Sequence, residues 1–171
     1  MDWATLIGYE DTHHTAQHVI FVRLIIAAAL GATIGFERGA AQGTAGLRTH
    51  MLIAVAAALF TTLAFEIYDQ ALAGGSNTAD PIRAIEAVTA GIAFLGAGAI
   101  FQQRGSVQGL TTGAGMWLAG AVGVASALGY YLIAAGVAII AVLVLAALRA
   151  FSHHVVEHEK SGNGTDQAGD R

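Results

Sequence analysis

Long apolar segments almost without charge are the feature that most constrains how this chain can fold. Five such segments of the 171-residue chain contain one ionisable residue between them, Arg23. The segments are Val19 to Phe36, Met51 to Phe65, Ala87 to Phe101, Leu110 to Leu128 and Leu132 to Leu148. The chain is 55% hydrophobic and 12% charged, more apolar than a soluble domain of this size could bury. This pattern predicts an all-α integral membrane protein of about five transmembrane helices.

The lengths of the segments set the expected span boundaries. Two segments, Met51 to Phe65 and Ala87 to Phe101, are only about 15 residues long, short of the roughly 20 that cross hydrocarbon. They must recruit flanking residues, as Leu47 to Tyr68 and Pro81 to Phe101 do. A single helix over Leu110 to Leu148 would be roughly 58 Å long, nearly twice the bilayer core. We therefore expect two spans there, separated by a break near Ser126 to Tyr130.

The distribution of Lys and Arg predicts the orientation. Basic residues flank the first connection, the third connection and the C-terminal end, at Arg38, Arg48, Arg104, Arg149 and Lys160. None precedes Arg23, so the N-terminus is expected outside the cytoplasm and the C-terminus inside. The N-terminus lacks the pattern of a cleaved secretory signal, so the first span should stay in the mature protein. We expect an extracytoplasmic segment at 1–17, a transmembrane domain at 18–151 and a cytoplasmic, disordered polar tail at 152–171.

The chain also repeats itself weakly. Leu30-Gly31-Ala32 and Phe36 match Leu95-Gly96-Ala97 and Phe101, and the turns Gly46-Leu47-Arg48-Thr49 and Gly109-Leu110-Thr111-Thr112 follow them. Two spans separate the copies, which predicts a parallel two-helix repeat with both turns on the cytoplasmic face. Small residues let helix backbones approach, and the packing candidates are Gly31, Gly35, Gly91, Gly96, Gly98, Gly109 and Gly113. The alternative is a pore or ligand site lined by glycine backbone.

Polar residues gather at the cytoplasmic ends of the spans. The set comprises Glu37, Arg38, Arg48, Thr49, His50, Arg104, Thr111 and Thr112. These residues could anchor helix ends in lipid headgroups, with Arg snorkelling to the interface. The functional alternative is a polar surface for a partner or an ion.

A smaller polar set is expected at the outer side. Arg23 lies about one turn inside the first span, where it could snorkel outward or pair with Glu86. Asp80 before Pro81 is typical of a helix N-cap followed by proline at the first helical position. Arg83 and Glu86, three residues apart, could form a pair within one helix.

Several classes of function are excluded or disfavoured. The chain has no Cys and a net charge of −4 without a basic patch, so thiolate chemistry is excluded and nucleic acid is not expected as a partner. No nucleotide-binding, serine-hydrolase or zinc-protease motif occurs, so neither an enzyme nor a cofactor is expected. Glu37 and the acids near Glu86 lie at opposite predicted faces, so no row of acids suits Mg²⁺ conduction. Two histidine clusters could chelate a transition metal or simply be solvated: His13, His14 and His18, and His153, His154 and His158.

Two stretches, Leu24 to Phe60 and Asp80 to Gly123, resemble the membrane domain of the MgtC/SapB family, which includes YhiD-type proteins. The shared runs are G-F-E-R, A-G-L-R-T-H, D-P-x-R, G-x-x-F-L-G-A-G and G-L-T-T. By position, the resemblance also adds Trp117 to the polar residues named above. Many members carry a soluble C-terminal domain, whereas this chain ends about twenty residues after its last span and is expected to be a short form.

The resemblance implies a multi-pass protein of the bacterial inner membrane, linked to growth in low Mg²⁺ and to virulence. It implies a non-enzymatic regulator with a membrane partner such as the F-type ATP synthase. The alternative is a transporter or channel for a cation, Mg²⁺ above all, or a small solute. A homo-oligomer in the lipid bilayer is compatible with either function.

Overall fold

The chain folds into five helices and one short hairpin in a computed structural model, which describes residues 15–40, 45–76, 79–103 and 106–163. The helices are α1 (Gln17–Ala40), α2 (Leu47–Ala73), α3 (Pro81–Gly98), α4 (Leu110–Ala127) and α5 (Tyr131–Asn163). An antiparallel hairpin of β1 (Phe101–Gln103) and β2 (Ser106–Gln108) connects α3 to α4. Each predicted span corresponds to one helix, whereas the hairpin was not predicted.

Four helices of the described chain, α1 to α4, are long and apolar enough to cross a membrane. The fifth, α5, contributes the apolar stretch Tyr131–Ala147. Large apolar side chains face outward along the bundle, with Leu132 88%, Phe94 79% and Phe36 71% exposed. Such exposure would be costly in water and is expected in lipid, so the protein is a multi-pass membrane protein, as predicted.

The helix ends follow from local sequence. Asp80 caps α3, since its Oδ1 accepts the Ile82 N–H at 2.9 Å and Pro81 takes the first helical position. The predicted break between the last two spans is confirmed, because α4 ends at Ala127 and Gly129 turns the chain with φ +80°. In contrast, α5 continues to Asn163, well into the segment expected to be a disordered tail. No Gly or Pro interrupts the sequence from Tyr131 to that point except Gly136 and Gly162.

The most buried helix is α4, which packs against all four others. α1 contacts α2 and α5 as well, and α3 contacts α2 and α4. Alanines form much of the core, including Ala54, Ala58, Ala119 and Ala127. Short side chains bring the backbones together: a Cβ added to Gly123 on α4 would collide with the Ala54 carbonyl oxygen on α2.

The two ends of the helix bundle are defined by which helices begin and end there. The inner face is the end where α1 finishes and α2 and α4 begin, and the positions of Lys and Arg predict that it is cytoplasmic. The outer face is the opposite end, where α4 finishes and α3 and α5 begin.

The two copies of the sequence repeat make the same kind of contact between their helices. Gly31 and Gly96 occupy matching positions of the two copies, as do His50 and Gly113. A Cβ on Gly31 would lie 2.7 Å from the His50 carbonyl oxygen, and a Cβ on Gly96 would lie 3.4 Å from Gly113 Cα. The corresponding residues therefore touch in both hairpins, α1–α2 and α3–α4, which is the relation expected of parallel copies.

Candidate functional site

Arg38 and Thr112 join two helices at the inner face. Arg38 lies in the last turn of α1, and its Nη2 donates to Thr112 Oγ1 in the first turn of α4 at 2.8 Å. Thr112 is buried, with 1% of its surface exposed. A charge-assisted bond at low dielectric is stronger than a neutral one, so this contact should hold the inner ends of α1 and α4 together.

His50 is the central residue of this inner cluster and is fully buried. Its Nδ1 lies 2.8 Å from the carbonyl oxygen of Gly46, the N-cap residue that precedes α2. A carbonyl oxygen only accepts, so Nδ1 carries the proton of this hydrogen bond. Nε2 is buried and has no hydrogen-bond partner within the described residues, an uncommon state for a native polar atom.

Three glycines form the socket around His50. A Cβ on Gly35 would lie 2.9 Å from His50 Cβ, and one on Gly115 would lie 3.0 Å from Nε2. Gly31 contacts the His50 backbone, as described above. Because α1 supplies two of these glycines and α4 the third, the imidazole is held at a junction of three helices. We call His50, Arg38, Thr112 and Gly115 the inner cluster.

The remaining predicted inner residues lie around this cluster. Glu37 and Thr49 are half-buried, whereas Arg48 and Thr111 are exposed. Arg104 lies outside the described residues. The predicted polar face is therefore divided between a buried cluster that joins helices and an exposed rim.

At the outer face, Arg23 interacts with a helix end and with no acid of the described residues. Its Nη1 donates to the Ala127 carbonyl oxygen at the end of α4, at 2.6 Å. Glu86, the partner that the sequence suggested for Arg23, is exposed on α3. Arg83 is exposed as well, and no ion pair joins Arg83 to Glu86 in the described chain. A cation at a helix C-terminus satisfies unpaired carbonyls and complements the helix dipole. This contact explains the charge inside the first span.

The buried polar groups of α2 near the outer face were not among the predicted site residues. Glu66 is 6% exposed, and its Oε1 accepts the Thr15 N–H at 3.2 Å. Thr61 and Thr62 are buried, and their hydroxyls have no hydrogen-bond partner within the described residues. Other hydroxyls in this bundle, such as Ser126, donate to the carbonyl four residues earlier. The sequence pattern that could have indicated this group is the four-residue spacing of Thr62 and Glu66 in an apolar stretch, because residues four apart lie on the same side of a helix.

The packing glycines fall into two groups. Gly31, Gly35, Gly96, Gly109 and Gly113 lie at close backbone contacts between elements. Gly91 and Gly98 were expected to do the same, but no described atom lies within 4 Å of a Cβ placed there, so neither makes such a close contact within the described residues. The sequence reading missed Gly115, Gly120 and Gly123 on α4, which are spaced five and three residues apart.

Grooves between the described helices indent the lipid-facing surface. One, of about 470 Å³, lies between α2 and α3 and is lined by residues such as Ala56, Phe60, Ala87 and Gly91. Another, of about 280 Å³, lies between α1, α4 and α5, where Ile34, Leu118 and Ala141 line it and Thr111 is its one polar side chain. Trp117, half-exposed on α4, lines a smaller cavity of about 60 Å³ against α3.

The part of the chain that the structure describes contains no group of three His, Asp or Glu side chains that could hold a metal ion. His18 is exposed near the start of α1. His13 and His14 lie outside the described residues, and so do the side chains of His153, His154 and His158.

Comparisons with known proteins place these helices in one family. The sequence model of the MgtC family matches residues 24–154. Protein MgtC of Brucella abortus (strain 2308) is 40% identical over 120 residues, which are 70% of this chain and 47% of the relative. The "Putative magnesium transporter YhiD" of Escherichia coli (strain K12) is 38% identical over 117 residues, 68% of this chain and 54% of the relative. An uncharacterized protein of Synechocystis is 32% identical over 140 residues, 80% of this chain and 56% of the relative.

No solved structure matches the chain. The chain spans about half the length of the curated relatives it matches. The family match begins within α1, just after Arg23, and includes the whole inner cluster.

Proposed function

Since this chain belongs to the MgtC family, we propose that it is a non-enzymatic bacterial membrane regulator that acts by direct contact with another membrane protein. The proposal concerns the transmembrane domain, which is the part shared with the longer relatives. Its setting, taken from the family resemblance, is adaptation to low magnesium and virulence. The F-type ATP synthase is the candidate partner.

The observation that carries the proposal is the division of the inner face into a buried cluster and an exposed rim. Arg38, His50 and Thr112 are used to fix the ends of three helices, and Gly115 packs directly against the imidazole. An ion pathway through this cluster would need space that the backbone of α4 occupies. Leu47, Arg48 and Thr111 remain exposed beside it and are available to a partner.

The composition of that rim fits a contact at the membrane surface. Leu47 and Leu110, the first residues of α2 and α4, are 41% and 59% exposed. The hairpin adds Val107, which is 53% exposed. An exposed arginine among apolar side chains fits a protein contact, because Arg is one of the residues enriched at protein interfaces.

The test is co-purification from bacterial membranes with a tagged chain, followed by quantification of ATP synthase subunits. Arg48→Ala should lower their recovery, because it removes an exposed cation from the rim without touching the inner cluster. Arg83→Ala is the matched control, since Arg83 is equally exposed but lies at the outer face. Equal recovery with wild type and Arg48→Ala, or a wild-type sample without any partner, would refute the proposal.

Cation transport is the second candidate. The observation in its favour is that the hydroxyls of Thr61 and Thr62 are buried and have no hydrogen-bond partners in the described chain. Glu66, whose carboxylate is also largely buried, follows them on the same helix by five and four residues. Oxygen ligands of this kind suit hard cations, and one relative is named for magnesium transport. Purified protein in liposomes should then carry Mg²⁺ flux that Glu66→Gln and Glu37→Gln reduce. Absence of flux under a Mg²⁺ gradient would remove this candidate.

A further inference from the structure

The groove between α1, α4 and α5 combines an apolar wall with a polar inner end. On α4 its lining runs from Thr111 to Leu118, which is about 10 Å along the helix axis. Ile34 contributes from α1, and Val137, Ala141 and Leu145 contribute from α5. Thr111, exposed in the first turn of α4, marks the end nearest the inner face.

Positive charge lies at that inner end. Arg38 follows Ile34 by one turn of α1, so the two residues share a side of the helix. Its Cγ and Cδ would lie 3.8 Å from a Cβ on Gly115, a residue that lines the groove. Its guanidinium reaches Thr112, the neighbour of Thr111. The cation therefore lies next to the inner end of the apolar wall.

The start of α4 adds to this positive potential. Its N-cap residue is Gly109, which provides no side-chain cap, so the first N–H groups of α4 receive no side-chain acceptor there. Helix N-termini attract anions through these N–H groups and the helix dipole. Thr111 therefore brings a hydroxyl to this end of the groove, and the guanidinium of Arg38 and the N-terminus of α4 lie next to it.

We infer that this groove binds one anionic phospholipid of the inner leaflet, with the phosphate beside Arg38 and Thr111 and one acyl chain along the apolar wall. The argument is charge complementarity at one end and apolar complementarity along the rest. A zwitterionic lipid would offer the same acyl chain but a compensating positive charge next to its phosphate. Basic pockets between transmembrane helices at the cytoplasmic side bind anionic headgroups for this reason.

The experiment is native mass spectrometry of the full chain, purified in mild detergent and mixed with equal amounts of phosphatidylglycerol and phosphatidylcholine. Both lipids carry the same acyl chains, so a difference in retention reports the headgroup. Wild type should retain one phosphatidylglycerol in preference. Arg38→Gln should lower that preference about fivefold, as expected for one arginine near an anionic surface, and Arg38→Lys should keep most of it.

A second pair of variants tests the apolar wall without changing charge. Ala114→Phe should reduce retention of both lipids, because Ala114 lines the groove and is exposed. Ala93→Phe places the same ring on an exposed position of α3, away from the groove, and should leave retention unchanged. No headgroup preference in wild type, an unchanged preference in Arg38→Gln, or equal effects of the two phenylalanine variants would overturn the inference.

Discussion

The imidazole of His50 lies directly against the backbone of Gly115, with Nε2 3.0 Å from where a Cβ on Gly115 would be. This contact brings the first turn of α2 and the second turn of α4 together at the inner face. The aliphatic carbons Cγ and Cδ of Arg38 lie near the same position, 3.8 Å from that Cβ. One residue without a side chain thus allows three helices to meet.

Gly115→Leu should destabilise the protein. The new side chain would overlap both His50 and Arg38, and overpacking of a tight core typically costs about 1–3 kcal/mol. Gly91→Leu is the control, because no described atom lies within 4 Å of a Cβ there. Thermal unfolding in detergent should show a lowered Tm for the first variant alone. If both variants unfolded at similar temperatures, Gly115 would not be tightly packed against His50.

Replacing glycine by alanine at matching positions of the two repeat copies should have different effects on stability. A Cβ on Gly31 would lie 2.7 Å from the His50 carbonyl oxygen, so Gly31→Ala must move a backbone. A Cβ on Gly96 would lie 3.4 Å from Gly113, a distance that a small adjustment can accommodate. We expect Gly31→Ala to lower the unfolding temperature in detergent and Gly96→Ala to leave it nearly unchanged. The reverse order would contradict the described packing of the two hairpins.

Arg38 and Thr112 should be energetically coupled. Single variants Arg38→Gln and Thr112→Val each break the same bond, so the double variant should lose less stability than the two losses added. A coupling free energy of about 1.5–3 kcal/mol is expected for a hydrogen bond to a charged group. The double-mutant cycle can be measured by unfolding in detergent and denaturant. Strictly additive losses would show that the bond contributes nothing to stability.

Arg23 should stabilise the protein through the end of α4 and independently of Glu86. Arg23→Gln removes the cation that bonds to the Ala127 carbonyl oxygen and should lower the Tm. Glu86→Gln changes an exposed side chain and should not. If the two residues formed a pair after all, both substitutions would destabilise to a similar degree, and their effects would not add.

The helices and most of their ends could be predicted from local sequence. Asp80 before Pro81 specifies the start of α3, and the uncharged run after Leu110 is too long for one span, so a break had to occur near Gly129. The length of α5 was misjudged, because a polar tail composition does not reveal that its backbone continues the helix to Asn163. The hairpin at Phe101–Gln108 was missed, since its strands are three residues each and carry no turn signal strong enough to recognise.

The candidate site was predicted as a list of residues but not as an arrangement. The motif runs placed Arg38, His50 and Thr112 at one membrane face. They did not indicate that Thr112 accepts from Arg38, or that Gly115 completes the socket of His50. Both contacts join residues distant in sequence, and helical periodicity alone does not specify which face of α4 meets which face of α1.

By itself, the sequence determined that the chain lies in a membrane, where its helices begin and turn, and which end carries the basic residues. These properties depend on hydrophobicity, charge and capping, which act over one turn or one span. Only the tertiary structure decided which small residues are contacts and which face lipid, and that Arg23 meets a helix end and not an acid. In lipid, association depends on the fit of particular backbone surfaces, and that fit exists only once the helices are side by side.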